Sequence, residues 1–360
     1  MWGQDVPRED IEKSQITWLH LSDWHQGKEK YNKETPFNRD RVRRQLIKDI
    51  EARERIAPEL EQVDFIIFSG DLAFSGQEEE YKKAKEELFN PVLQATGLSP
   101  ERLFIVPGNH DLDRSTFKYL GGDLKRPFES ETEVQEWLTH QKDRDHLLQP
   151  FQAFRKFVTR YTGQKHPDYA THCQWEINGK RIALLGINSA LMAGRNRNNK
   201  GEVDDYGKLV IGEPQIQAFI NEIETEENDI QIAVLHHPFK WLTQFDSSQV
   251  EQSLKKNFDF VLWGHQHESA VKLVQGTEGD CVIIPCGASY DRRQFANSYN
   301  FVHLDFETGQ GSVYLRRWND EQSEWIKDYN ITDDDTDTNG LYRFDLCHKY
   351  NLPKKKEKFL

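Results

Sequence analysis

The stretch LHLSDWHQG, residues 19–27, ends an apolar run in Asp23, Trp24 and His25. Such a run reads as a buried strand, and it delivers a carboxylate and an imidazole at its carboxyl end. Two potential metal ligands at one strand end require partners from elsewhere in the chain, and four further strand-like runs offer them. DFIIFSG ends in Asp71, RLFIVPG leads into Asn109 and His110, QIAVLH closes on His236, and DFVLWG opens onto His265 and His267. Taken singly, an aspartate after a strand is a turn or cap residue, and a lone histidine is a satisfied surface or core group. Their joint occurrence carries more weight, because open α/β sheets gather ligands in the crevice at the carboxyl ends of their strands.

Outward from that stretch, strand patterns alternate with helical ones. RDRVRRQLIKDIEARERI, residues 39–56, spaces Val42, Leu46, Ile47 and Ile50 as one helix face, and QEEEYKKAKEELFNPVL, residues 77–93, is amphipathic as well. Short buried strands separated by helices imply right-handed crossovers and a largely parallel sheet. A second series begins with HCQWEI and KRIALLGINS, joined by the hairpin signal Asn178-Gly179. It continues through QIAVLHH, FDFVLWGH and DCVIIPCGAS to NFVHLDF and GSVYLRRW, which the turn ETGQG joins as antiparallel closing strands. The expected fold class is therefore α/β: two packed mixed β-sheets flanked by helices.

The expected organisation is a polar N-terminal extension over residues 1–15, one domain over residues 16–331, and an acidic linker with a basic C-terminal tail over residues 332–360. A helical insert or cap, residues 113–167, interrupts that domain, and whether it covers the site or mediates assembly is left open. Its aromatics, Phe128, Trp137, Phe151, Phe154, Phe157 and Tyr161, are read as packing rather than as a platform for bases. The tract DDDTDT supplies the linker's acidity and PKKKEKFL the tail's basicity. Together they suggest a truncated or operon-encoded module.

Composition excludes several classes. With 360 residues, 36% of them hydrophobic, the chain can bury a large core, and its longest apolar runs are too short to span a bilayer. A soluble, cytoplasmic protein with no membrane partner is expected. Cys173, Cys281, Cys286 and Cys347 form no CxxC pair, so they read as core thiols rather than a disulfide framework or zinc site. A net charge of −13 opposes broad electrostatic capture of nucleic acid, yet suits a compact phosphate or a strand held mainly at metals. No GxxxxGK[ST] phosphate loop occurs, so this chain carries no such ATPase.

The residue types at the five strand ends match two-metal chemistry. Two divalent cations about 3.5 to 4 Å apart need an anionic bridge, neutral imidazoles and hard oxygen donors around them. Asp71 is the natural bridge. The glycines of SGD, PGN and WGH are expected to let the backbone turn sharply at each strand end.

The ordered blocks DWH, GD, GNHD, H and GHQH resemble the calcineurin-like metallophosphoesterase superfamily over residues 16–318. The resemblance implies that Asp23, His25, Asp71 and His267 hold one metal, and Asp71, Asn109, His236 and His265 the other. Manganese is the first choice, and iron or zinc also suits the donors. His110 would face the substrate, oriented by Asp111, and would stabilise phosphoryl charge or protonate the leaving oxygen. Water activated at the metals would attack phosphorus in line, with no covalent enzyme intermediate. His237 has no role in the family pattern; it is read as a satisfied histidine, with a contact behind the ligands as the alternative.

The superfamily includes protein phosphatases, nucleotidases, cyclic-nucleotide phosphodiesterases and nucleases, so the metal site leaves the substrate open. The DWH block is similar to that of double-strand-break-repair nuclease subunits, although Trp24 equally fits core packing. VPGNHDLDRS and GSVYLRRWNDEQSEWIKD resemble modules of bacterial signalling and anti-phage defence proteins, which implies a fused or separately encoded effector or ATPase partner. GRNRNNK, residues 194–200, and Arg292-Arg293 could position phosphates or be solvated loops, while Arg39, Arg41, Arg43 and Arg44 read as a solvated helix face. The expected function is a metal-dependent phosphodiesterase, with DNA or RNA as the leading substrate class. Nucleotides or cyclic nucleotides come next, then phosphoproteins, and a non-catalytic regulatory module last. The oligomeric state is left open.

Overall fold

Two β-sheets lie face to face in the computed structural model, which describes residues 14–30, 36–119, 126–164, 170–223, 228–266, 271–276, 279–290, 297–329, 336–337 and 340–346. The strands in chain order are β1 (Gln15–Leu21), β2 (Phe65–Phe68), β3 (Leu103–Ile105), β4 (Ala170–Ile177), β5 (Lys180–Ile187), β6 (Ile230–Val234) and β7 (Phe260–Trp263). They continue as β8 (Lys272–Gly276), β9 (Gly279–Pro285), β10 (Ser298–Asp305), β11 (Gln310–Asn319), β12 (Glu324–Lys327), β13 (Thr336–Asp337) and β14 (Leu341–Asp345). One sheet runs β13-β14-β11-β10-β1-β2-β3, with β12 paired to β11, and the other runs β4-β5-β6-β7-β9-β8. In the first, β1, β2 and β3 are parallel and β10 is antiparallel to β1. In the second, β5, β6, β7 and β9 are parallel, with antiparallel β4 and β8 at the edges.

Strand alternation explains why two sheets stack. Ile16, Trp18, Phe65, Ile67 and Phe104 point inward from the first sheet and meet Leu184, Ile232, Val234, Phe260 and Leu262 from the second. Leu19, Leu21, Ile66 and Phe68, on the opposite face of the first sheet, pack under Val42, Leu46 and Ile50 of the helix Pro36–Glu51. The helices Glu213–Ile223 and Gln244–Asn257 cover the outer face of the second sheet through Ile216, Phe219, Val250 and Leu254. The result is the expected four-layer α/β arrangement.

Local chemistry sets the details. Asn178 and Gly179 both take positive φ, 51° and 70°, as the two-residue turn between β4 and β5 requires. The helical pattern of residues 77–93 is not one regular helix: Glu78–Ala84 widens into a π-type turn over Lys85–Phe89 before Asn90–Thr96. Pro91 has no N–H for the Glu87 carbonyl, which accepts from Arg43 Nη1 at 3.3 Å instead.

One expectation needs correction here. The folded sheet does not stop at residue 331: β14, within the stretch read as linker and tail, pairs with β11 from Gln310↔Asp345 to Tyr314↔Leu341. The reason is its own alternation, with Tyr342 and Phe344 buried between the sheets and Arg343 exposed. The insert, residues 113–167, is helical at Glu131–Thr139, Gln141–Leu148 and Gln152–Thr162, and it is tied into three clusters of core side chains. Phe154 joins the helix layer over the first sheet, Phe151 that over the second, and Phe128 a smaller cluster with Leu138, Met192 and Val210. Its aromatics are packing, as expected. Cys281 and Cys286 are buried free thiols and Cys173 is a half-buried one; Cys347 and the basic tail lie outside the described residues, as do residues 1–13 and Arg292-Arg293. Among the described residues no helix is long and apolar enough to cross a membrane.

Candidate metal centre

The carboxyl ends of β1, β2 and β3 from one sheet and of β6 and β7 from the other converge on one point. The loops that follow them bring Asp23, His25, Asp71, Asn109, His110, His236 and His265 together, although these residues are up to 242 positions apart in sequence. Ligating atoms of His25, Asp71 and His110 lie within 4.8 Å of one another, as do those of Asp23, Asp71 and His236, and those of His236, His237 and His265. His267 lies outside the described residues. Asp71 belongs to two of these groups, the position a bridging carboxylate requires.

The backbone is strained where the donors sit. Among the described residues, Asp23, His25, Asp71 and His265 account for four of the six non-glycine residues with positive φ, at 52°, 51°, 59° and 63°. Each such conformation costs on the order of 1–3 kcal/mol, so surrounding contacts must hold it. Asp23 N, Trp24 N and His25 N donate to the carbonyls of Gly70, Asp71 and Asp71, at 2.9, 3.0 and 2.9 Å. The first two ligand loops therefore lock each other.

Hydrogen bonds orient the donors. His236 Nδ1–H donates to the Ser69 carbonyl at 2.7 Å, which orients the ring and aims Nε2 at Asp71 Oδ2, 3.3 Å away, and at His265 Nδ1, 3.2 Å away. Asp71 Oδ2 also meets His25 Nε2 at 3.1 Å, and its Oδ1 accepts from His110 N at 2.7 Å. Asp23 Oδ2 accepts from Ser22 Oγ at 2.6 Å and from His265 N at 3.0 Å, leaving its other oxygen for the site. Burial alone would push the Asp71 carboxyl upward, but the neighbouring His236 and His110 outweigh it and hold that carboxyl well below its ordinary range. Burial and the facing His236 ring push His265 well down, so that its imidazole is neutral. Burial pulls His236 down, but the Asp71 and Asp23 carboxylates outweigh it and raise it to about 9, so a divalent cation bound among these imidazoles and carboxylates would take the place of a proton.

Ser189 settles the place of His237. Ser189 Oγ accepts from the backbone N–H groups of His236 and His237, so its own hydrogen goes to His237 Nδ1, 3.0 Å away. His237 Nε2–H then donates to Asn109 Oδ1 at 3.1 Å. It orients the Asn109 amide, and the doublet His236-His237 was the only sequence signal for that.

The expected pairing of His110 with Asp111 is not what forms. His110 Nδ1–H donates to the Phe74 carbonyl at 2.8 Å, and its ring stacks on Phe74 at 4.9 Å. The fully buried Asp111 carboxylate instead accepts from Leu72 N, Ala73 N and Gly108 N, at 3.1, 2.9 and 3.0 Å, and from Tyr81 Oη at 3.2 Å. Asp111 thus clamps the Asp71 loop to the Asn109-His110 loop and is a positioning residue. Burial pushes its carboxyl up to about 7, and burial pushes the His110 imidazole down to about 4.

Arg39 is the functional residue that sequence reasoning assigned to solvent. It is 5% exposed, donates to the carbonyls of Trp24 at 2.6 Å and His25 at 3.0 Å, and lies 4.3 Å over the Trp24 ring. Trp24 is itself fully buried, its indole N–H donating to Gln26 Oε1 at 2.6 Å, so the core-packing reading holds for it. Trp24→Ala is expected to cost about 3–5 kcal/mol. Arg39→Lys loses the fork that reaches two carbonyls and is expected to cost about 2–3 kcal/mol. Urea unfolding measures both, and a change below 1 kcal/mol in either would contradict this packing.

The glycines at the strand ends act mainly through space. Gly70 takes φ 102°, but Gly108 and Gly264 do not take positive φ. A Cβ on Gly108 would stand 2.2 Å from Asp71 Oδ1, and one on Gly264 would stand 1.9 Å from Ser22 Oγ and 2.8 Å from Asp23 Oδ2. Gly108→Ala is therefore expected to displace Asp71 and lower metal content by at least half. Unchanged metal content by plasma emission spectroscopy would contradict it.

This fold and donor set define a class, and sequence comparison agrees with it. The chain belongs to the calcineurin-like phosphoesterase family, whose model matches residues 16–269. It is 26% identical over 321 residues to the "uncharacterized metallophosphoesterase-like protein YydB" of Bacillus subtilis. That match covers 87% of this chain and 61% of the relative's length. Solved structures to which the chain is similar include a "conserved uncharacterized protein (predicted phosphoesterase COG0622)" from Streptococcus pneumoniae, at 11% identity and TM-score 0.31, covering 92% of this chain and 98% of that one. Vacuolar Protein Sorting 29 from Cryptosporidium parvum matches at 12% identity and TM-score 0.34, with the same coverages.

Proposed function

We propose that the chain is a dinuclear-metal phosphodiesterase, with nucleic acid as its leading substrate class. The observation that carries the reading is the shared Asp71: one ionised carboxylate serving two groups of donors, with Asp23, His25, Asn109, His236 and His265 around it. His267, from the same GHQH motif, would complete the set. Divalent cations held there lower the pKa of bound water and offset charge on a phosphoryl group. His110, tethered through Nδ1–H to the Phe74 carbonyl, presents Nε2 to that group; burial holds the free ring neutral, and the negative charge of a bound phosphate would favour the imidazolium, whose Nε2–H serves the leaving oxygen. Asp111, Tyr81 and His237 keep the loops and the Asn109 amide in place.

Trp24 no longer supports the nuclease reading, since it is buried in the core. Support comes from exposed basic and aromatic side chains beside the histidines. A second reading, hydrolysis of free or cyclic nucleotides, is favoured by the net charge of −13, which resists long polyanions. The test is a parallel assay with Mn²⁺ on single-stranded DNA, double-stranded DNA, RNA, cyclic nucleotides, a phosphopeptide and bis-p-nitrophenyl phosphate. Hydrolysis of the synthetic diester and of a polynucleotide is the expected result. Cleavage confined to cyclic nucleotides would shift the substrate class, and a metal-loaded protein inert on every ester would overturn the enzyme reading.

A further inference from the structure

One loop, residues 194–209, runs from a buried anchor to the edge of the metal centre. Asp205 pins it, Oδ2 accepting from Gly194 N at 2.7 Å and Oδ1 from Asn196 Nδ2 at 2.9 Å. Its far end is stitched to the segment that carries Trp241: Leu209 N donates to the Trp241 carbonyl at 3.0 Å, and Thr243 N to the Leu209 carbonyl at 2.8 Å. The basic residues of GRNRNNK then separate by burial. Arg195 turns inward over the Phe117 ring at 5.4 Å, while Arg197 stays exposed.

Arg197, whose Nη1 donates to the Gly201 carbonyl at 3.3 Å, lies near enough to Arg114, an exposed residue four positions after His110, for the two positive charges to repel each other. The Arg114 side chain lies against Gly194, where an added Cβ would meet Nε at 3.0 Å. Neither arginine has a carboxylate within ion-pair distance among the described residues. Arg114 feels the attraction of Asp205 and Asp71, but both carboxylates are already engaged by other donors, and a bound anion would further offset the repulsion between the two arginines. The same loop also ends in an aromatic wall. Tyr206 is 56% exposed and meets Trp241 edge-on at 5.4 Å; Trp241 stands 4.1 Å from His265 and 5.8 Å from His237, ring centre to ring centre. Trp241 Nε1 is buried without a partner among the described residues. A solvent-facing tyrosine continuous with the metal-centre histidines is unusual for packing and suited to stacking a flat ring.

We infer that residues 194–209, with Arg114 and Trp241, form a nucleoside-phosphate subsite: Tyr206 and Trp241 take a base, and Arg114 and Arg197 take the phosphate next to the scissile one. The inference deepens the phosphodiesterase reading and rests on it for the identity of the scissile group. It also makes a claim about binding that hydrolysis does not enter.

The test is calorimetric titration of the Mn²⁺-loaded protein with thymidine 5′-monophosphate and with inorganic phosphate. Base stacking on an aromatic side chain is worth about 1–3 kcal/mol, so the nucleotide is expected to bind about tenfold tighter than phosphate. Tyr206→Ala should erase most of that preference, Tyr206→Phe should keep it, and Arg197→Gln should weaken binding of pTpT relative to thymidine 5′-monophosphate. Equal affinity for the nucleotide and phosphate, or an undiminished preference in Tyr206→Ala, overturns the subsite. A second pair of substrates separates the two readings: methyl p-nitrophenyl phosphate and thymidine 5′-(p-nitrophenyl phosphate), which share a leaving group. Tyr206→Ala should lower the ratio of their kcat/KM values about tenfold. If the wild type hydrolyses neither ester yet prefers the nucleotide in titration, the phosphodiesterase reading falls and the subsite stands.

Discussion

Asp71→Asn is expected to empty the metal centre and lower turnover by about 10³-fold or more. Asp71 Oδ2 sits between His25 Nε2 at 3.1 Å and His236 Nε2 at 3.3 Å, and Oδ1 is engaged by the His110 amide at 2.7 Å. That amide needs an acceptor, so the asparagine oxygen takes the Oδ1 position and its NH₂ group points at the two imidazoles. The side chain then has neither a negative charge nor a lone pair on the side that faces the other donors. Removing the shared anion forfeits several kcal/mol of charge stabilisation, and each 1.36 kcal/mol is a factor of ten in rate. Metal content by plasma emission spectroscopy should fall below one ion per chain. Two retained ions with activity within tenfold of wild type would remove Asp71 from its central place.

His110→Ala is expected to behave differently, losing about 10²–10⁴ in kcat while metal content changes little. The backbone N–H of residue 110, which holds Asp71 Oδ1, survives the substitution, whereas the imidazole that stacks on Phe74 does not. The loss should be larger on a nucleotide ester than on a p-nitrophenyl ester, whose leaving group needs no proton. An equal loss on both would mean that the imidazole acts on phosphoryl charge alone, and a loss below fivefold on both would remove it from the reaction. His110→Asn bears on orientation, since its shorter amide cannot keep both the Phe74 carbonyl contact and a donor in the site.

These two residues were readable because they sit in short motifs directly after strands, and strand periodicity survives in the linear chain. Their supports were not readable. Arg39 lies in an arginine-rich helix face whose spacing suits solvent, and only the close passage of the DWH loop turns one of those arginines inward. Asp111 stands beside His110 in GNHD, yet adjacent side chains in a tight turn point apart, so its carboxylate serves the backbone of a different loop. The glycines of PGN and WGH suggest turns, while their measured constraint is the nearness of Asp71 and Ser22 from other strands. Trp24 suggested a substrate class from its position in a motif, and its burial assigns it to the core.

The sequence by itself determined the fold class, the order of the strand-end motifs and the donors they offer, because periodicity, turn residues and ligand types act over a few residues. Only the tertiary structure decided which groups hold those donors: Arg39 on the first loop, Asp111 between two loops, His237 behind Asn109. It also decided that β14 belongs to the sheet, that Tyr206 faces outward against the Trp241 ring beside the histidines, and that Arg197 is exposed while Arg195 is buried. Each of these depends on what a residue meets 14 or more positions away in the chain or on which face of a loop is covered. Neither is encoded in local pattern; both follow from how two twisted sheets bring their strand ends together.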